Sequence, residues 1–120
     1  MSLAHLSAAL SDTYVKNAAR LALIVLADRA ADDGYCWPGH EDTAARMNTS
    51  TRTTIAAVKQ LEADGYLYVD RGGERPGDTN KYIVLIGMTP AAVEASLGRH
   101  TGMTSAEARS TVRELEQRAR

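Results

Sequence analysis

The sequence predicts a mainly helical α+β domain, with amphipathic helices, a small antiparallel sheet of two or three strands, and additional C-terminal helices. Three observations point to that class. Apolar residues recur at spacings of three and four over most of the chain, the period of a helix with one buried face. Only two runs read as full strands, residues 66–69 and 82–86, and a stretch rich in Gly, Pro and charge separates them as in a hairpin. Hydrophobic residues make up 44% of the 120 but aromatics only 5%, with no Phe, so a single core must be built from Leu, Ile, Val, Ala and Met.

Over residues 14–31, Val15, Ala18, Ala19, Ala22, Ile24, Val25 and Leu26 predict a long first helix, with Ser11 and Asp12 as N-cap candidates. Asp32-Asp33-Gly34 carries turn chemistry, and Tyr35-Cys36-Trp37 reads as a short strand because Pro38 disfavours helix at Trp37. Ala44, Ala45 and Met47 support a two-turn helix over residues 39–47, with Glu41 and Asp42 complementing the dipole of its first turn. Asn48 tolerates the left-handed conformation that a tight interhelical turn requires, and Thr49 or Ser50 can cap the next helix. That helix spans residues 50–64, its inward face formed by Thr54, Ala57, Val58 and Leu61, and Gly65 stops it. After the hairpin, Thr89-Pro90 opens a short helix ending near Leu97-Gly98. The last helix, residues 105–118, places Ala108, Val112, Leu115 and Ala119 on one stripe, either an intrachain contact or a dimer seam.

Composition narrows the function. No apolar run approaches the roughly 20 residues of a membrane span, and no signal sequence is visible, so a cytoplasmic location is expected. Cys36 is the single cysteine, read as a small half-buried hydrophobe in a reducing compartment. His5, His40 and His100 lack a ligand spacing, so no metal is expected, and His40 is placed as a cap or a phosphate contact. Paired carboxylates, a phosphate-cradling glycine loop and a nucleophile motif are all missing from the sequence, so the chain is read as no enzyme, with no cofactor and no small-molecule ligand. Tyr35 and Trp37 are read as core or hairpin-edge packing, stacking on a partner being the alternative. The net charge of −1 is not that of a strongly basic nucleic-acid binder. Between residues 43 and 61, however, Arg46, Arg52 and Lys59 meet no acid.

The order helix, short strand, helix, tight turn, helix, hairpin is that of a winged helix-turn-helix. Residues 35–86 also resemble the helix-turn-helix proteins of bacteria, phages and plasmids. The matching residues are Cys36-Trp37-Pro38, Ala44, Ser50, Thr53, Leu61-Glu62 and Gly65, with Thr79-Asn80-Lys81-Tyr82 similar to the family's approach to its last strand. The chain departs from the pattern at Thr43 and Thr49, where the family has Leu, and at Thr54, where it has Val. Thr is isosteric with Val and its hydroxyl can bond the preceding turn. The family also places long polar residues where Ile55 and Ala56 stand, a departure from its usual base readout.

In such a fold the helix after the turn inserts its N-terminal end into the major groove. Thr51, Arg52 and Ile55 are then the candidate base contacts: Arg52 toward guanine, Ile55 toward a thymine methyl. Arg46, Ser50, Thr53 and Lys59, with Arg71, Arg75 and Lys81 on the wing, are the candidate backbone contacts. The wing cations are offset by Asp70, Glu74 and Asp78.

The expected division is a DNA-binding unit over residues 1–87, with an N-terminal helix, and a helical extension over 88–120, a candidate dimerisation element. The expected function is sequence-specific binding of double-stranded DNA by a repressor-like transcriptional regulator of bacterial, plasmid or phage type, located with the nucleoid. A homodimer on an inverted repeat is expected, because one recognition helix gives little affinity alone. The alternatives are a replication or partition protein of a mobile element and, from another class, a protein-interaction module that binds no DNA.

Overall fold

The computed structural model describes residues 2–71 and 79–119. Among them lie six helices and a three-stranded antiparallel sheet, the mainly helical α+β class expected. The helices are α1 (Leu3–Ser11), α2 (Asn17–Arg29), α3 (His40–Met47), α4 (Thr51–Ala63), α5 (Pro90–Thr101) and α6 (Ser105–Arg118). The strands are β1 (Tyr35–Cys36), β2 (Leu67–Asp70) and β3 (Lys81–Val84).

The first helical region differs from the expectation of one helix over residues 14–31. A separate α1 precedes α2, and the two pack together. Ser11 is the last residue of α1 and Asp12 its C-cap, so neither caps α2. The Asp12 carboxylate instead accepts from the backbone N–H groups of Tyr14 and Val15, and Arg20 of α2 donates to the carbonyls of Leu10 and Asp12. These bonds set the corner between the helices. The inward face of α2 is Ala19, Ala22, Leu23, Leu26 and Ala27, all buried.

From α3 to α4 local chemistry and packing agree. Asn48 adopts φ 55° and ψ 48° at the C-cap of α3, the left-handed geometry expected of it. Ser50 caps α4 by accepting from the Thr53 N–H at 3.1 Å. Thr54, Ala57, Val58 and Leu61 are buried as expected, and Ala57, Val58 and Leu61 join the core that α2 and the sheet share. The Thr54 hydroxyl donates to the Ser50 carbonyl at 3.1 Å, so a polar residue in a position suited to Val is satisfied by its own helix. Gly65, at φ +82°, makes the turn into β2, and a Cβ there would lie 2.8 Å from the backbone nitrogen of Ala119.

Strand order is β1-β3-β2, with Tyr35 opposite Ile83 and Leu67 opposite Val84. Strand alternation divides the sheet between two cores. Cys36, Leu67, Val69, Tyr82 and Val84 face the helix-turn-helix, whereas Ile83, with Tyr35 and Tyr68 beside it, faces α5 and α6. Burial pushes the Cys36 thiol up to about 12, which makes it an unreactive packing group.

The C-terminal layer resolves one alternative. Ala108, Val112 and Leu115 of α6 are buried with Val93, Leu97 and Ile83 of the same chain, so this stripe is an intrachain contact. Ala119 is exposed at the C-cap of α6 and is not part of the stripe. Helix α5 runs past the expected stop at Gly98 to Thr101, and Gly102 ends it at φ +72°. The layer is also pinned by charge: Asp33, in the turn before β1, receives Arg99 at 2.9 Å and His100 at 2.5 Å, and Ser96 donates to its carbonyl at 2.8 Å. Burial alone would raise the Asp33 carboxyl, but these partners and the Tyr35 N–H together hold it below the usual range.

Candidate nucleic-acid interface

Helix α4 presents two faces. Its inward face is apolar and buried; turned away from the core are Thr51, Arg52, Ala56, Lys59 and Gln60, all exposed. Arg52 and Lys59 are seven residues apart, two helical turns, so they lie on one line with Ala56 between them. Ile55 stands to one side of that line and is half-buried. The three residues expected to contact bases are thus together at the N-terminal half of α4, with Thr51 at its first position.

The hydroxyls at this end have fixed tasks. Ser50 Oγ accepts from the Thr53 N–H and donates to Thr53 Oγ1 at 3.0 Å, so its own proton is committed to the cap. Thr53 Oγ1 is the acceptor in that bond. The Thr53 N–H is taken up by the Ser50 cap and the Thr54 N–H bonds the Ser50 carbonyl, and the N-terminus of α4, with its positive dipole end, is a setting suited to anions.

The cations divide into two groups. Arg52, Lys59 and Lys81 are exposed and have no ion pair among the described residues. Arg71 is held by Glu62 in a two-point pair at 2.9 and 2.8 Å, which fixes the foot of the wing to the C-terminal half of α4. That hydrogen-bonded guanidinium holds the Glu62 carboxyl below its ordinary value. Arg46 lies 3.5 Å from Asp42, and Asp42 is also bound by Arg29 from α2. The positive stretch between residues 43 and 61 is thus partly neutralised by an acid one position outside it. Arg75 lies outside the described residues, as do Glu74 and Asp78.

Two features lie outside a reading of α4 alone. An open groove of about 420 Å³ runs between Arg52, Thr53, Ala56 and Gln60 on α4 and Lys16 to Ala19 on α2. Lys16 is the N-cap residue of α2 and makes no capping bond, and Asn17 sits next to it in the left-handed region at φ 57°. No sequence signal marked this, because Lys16 fell inside the helix expected over residues 14–31 and becomes an N-cap only with α2 beginning at Asn17. The second is Trp37, expected to pack in the core or at the hairpin edge, and found 60% exposed with its ring 5.2 Å from that of Tyr35. His40, expected as a cap or phosphate contact, lies 3.2 Å from the Tyr82 hydroxyl, and burial followed by the nearby Arg71 charge pushes its pKa down. No cluster of His, Cys, Asp or Glu among the described residues suits a metal ion.

Comparison with known proteins agrees with this geometry. Residues 16–67, from the N-cap of α2 to the start of β2, match the family model described as a helix-turn-helix domain. A similar protein is Protein YmfN of Escherichia coli (strain K12), 40% identical over 53 residues. Those residues are 44% of this chain but only 11% of that protein, so the likeness is confined to one small segment of a much longer relative. No solved structure matches the chain significantly. Among the described residues, no helix is long and apolar enough to cross a membrane.

Proposed function

We propose that the protein binds double-stranded DNA sequence-specifically and acts as a repressor-like transcriptional regulator, without enzymatic activity, in the cytoplasm at the nucleoid. One observation carries the reading: the outward line of α4 is a capped helix N-terminus bearing two cations without an ion pair among the described residues, on the element that comes after the turn of a helix-turn-helix domain. Residues 1–87 form the DNA-binding unit and residues 88–120 brace its sheet.

The roles derive from reach and chemistry. Helix α4 enters the major groove, Arg52 donates two hydrogen bonds to guanine O6 and N7, Thr51 bonds a neighbouring base edge, and Ile55 meets a thymine methyl. Thr53, Lys59 and Lys16 hold the phosphates on either side, and Lys81 and the wing hold the adjacent backbone. Ser50 orders the first turn. Arg46 and Arg71 contribute chiefly by tying α3 and the wing to their neighbours, with residual positive charge toward the backbone.

Dimerisation on an inverted repeat is part of the reading. With the α6 stripe buried within the chain, a second copy is assigned to α1. Leu3 and Leu10, 71% and 54% exposed, lie on one side of a helix with no Asp, Glu, Lys or Arg. Such a face meets its own copy across a dyad without like-charge repulsion. Sedimentation of the protein and of Leu10→Glu tests this: a dimer converted to monomer supports it, and a monomer at every concentration contradicts it.

The experiment for DNA binding itself is titration of a labelled duplex pool at increasing salt. Phosphate neutralisation releases counterions, so roughly four to six backbone contacts make log K fall with log salt at a slope of roughly −4 to −5. Affinity that is flat in salt, or no binding at low salt, would favour the protein-interaction reading.

A further inference from the structure

Trp37 is the largest exposed apolar side chain at the wing end of the sheet, and the structure holds it in place. Its carbonyl accepts from the Thr79 hydroxyl at 2.9 Å, which ties it to the chain returning from the wing. Its ring lies 5.2 Å from the ring of Tyr35, and Tyr35 stacks flat on His100 at 3.7 Å. His100 is in turn anchored on Asp33. An aromatic column therefore runs from α5 along β1 and stops in solvent at Trp37. Pro38, the next residue, restricts the backbone there as well.

The neighbourhood says what such a platform suits. The last pair of β1 is Cys36 opposite Tyr82; Trp37 follows it with its ring against Tyr35, and Lys81 stands next to Tyr82 on β3, two positions from Ile83 and so on the Ile83 and Tyr35 face, opposite Asp70 of β2. Helices α5 and α6 cover the Tyr35, Ile83 and Tyr68 row but leave Trp37 and Lys81 outside. Lys81 is exposed and has no ion pair among the described residues. The Trp37 indole N–H has no hydrogen-bond partner among them either, and it can only donate. A flat apolar face, an unused donor and an ammonium group in a row complement a sugar face flanked by phosphate oxygens.

We propose that Trp37 is a DNA-contacting residue, its indole lying against a deoxyribose of the duplex backbone beside the wing, with its N–H and Lys81 directed to neighbouring phosphates. The inference rests on the DNA-binding reading above. It adds a rigid apolar contact, fixed by α5, to backbone contacts otherwise made by cations and hydroxyls. It also gives the C-terminal layer a task in binding, because the Asp33, His100 and Tyr35 column sets the tilt of the indole.

Trp37 is the chain's single tryptophan, so its emission reports this position alone. Duplex carrying a 5′ label is titrated with protein while label anisotropy, tryptophan emission and acrylamide quenching are followed together. Emission that changes along the anisotropy curve, with an acrylamide quenching constant reduced at least about twofold, is the expected result. Trp37→Ala should weaken binding roughly three- to tenfold, the scale of one lost aromatic contact, and Trp37→Phe should lie between the two. Circular dichroism of both variants verifies the fold, and Trp37→Phe serves alone if the alanine variant does not fold. Full binding by anisotropy with unchanged emission, unchanged quenching and normal affinity of the variant overturns the proposal while leaving DNA binding intact. Emission that shifts with protein concentration before DNA is added overturns it in favour of a contact between copies. No anisotropy change with any duplex removes the DNA-binding reading and this contact with it.

Discussion

The outward line of α4 and the foot of the wing hold the same chemistry in opposite states. On α4, Arg52 and Lys59 are exposed and unpaired among the described residues; at the wing foot Arg71 is already clasped by Glu62, and on α3 Arg46 is drawn to Asp42. A cation with an internal partner must give up that interaction, or share it, before it can neutralise a phosphate. Counting basic residues along the sequence therefore overstates the second group and hides the importance of the first. The net charge of −1 describes neither region, because the local potential is set by which cations are free and on which face they lie.

That contrast can be broken in order of expected effect. Arg52→Ala should cost the most, about 1–3 kcal/mol for a bidentate base contact, and should relax sequence preference at one position. Lys59→Ala should weaken all duplexes nearly equally and reduce the salt slope by about 1, readable from the same titration at several salt concentrations. Arg71→Ala and Arg46→Ala should change affinity by less than about threefold, since their charges are already engaged, and their half-exposed ion pairs should be worth under about 1 kcal/mol of stability. A loss at Arg71 as large as at Arg52 would erase the distinction. The converse changes sharpen it: Glu62→Gln and Asp42→Asn release cations and should bind duplex modestly more tightly, with a steeper salt slope.

A smaller effect concerns pH. His5 is buried on α1, its Nδ1 shares a hydrogen bond with Ser2 at 2.8 Å, and burial is the main cause of its lowered pKa. A histidine depressed in the folded state stabilises the fold above its unfolded value of 6.5, and that contribution is lost as pH falls through the folded value. Melting temperature should therefore decline below pH 6.5, less so in His5→Gln; equal declines in the two proteins would exclude His5 as the cause.

Much of the helix-turn-helix was legible because its sequence signals are local and agree with one another. Asn48 for the left-handed turn, Ser50 for the cap and the Thr54, Ala57, Val58, Leu61 face are each chosen by backbone or burial requirements that leave few alternatives. Helix α1 escaped notice because its pattern is inverted: Ser2, His5 and Ala9 point inward while Leu3 and Leu10 point out, so the usual rule identifies the wrong face. The α6 stripe was visible as a stripe, but periodicity records only that a face is covered, not by which molecule. Charge pairing was the least legible feature, since Arg71 and Glu62 are nine positions apart and meet only once β2 turns back at Gly65. For Trp37 the sequence left core and hairpin edge open, and the structure excludes the core: the residue lies 60% exposed at the edge of the layer that covers Tyr35.

The central claim is that α4 reads a base sequence through Arg52. Selection of duplexes from a random pool by the purified protein, run beside Arg52→Ala, tests it most directly. Enrichment of one motif, with two half-sites in inverted orientation and one guanine position lost in the variant, is the predicted result. A pool that stays random at low salt, or an identical motif from both proteins, would contradict it.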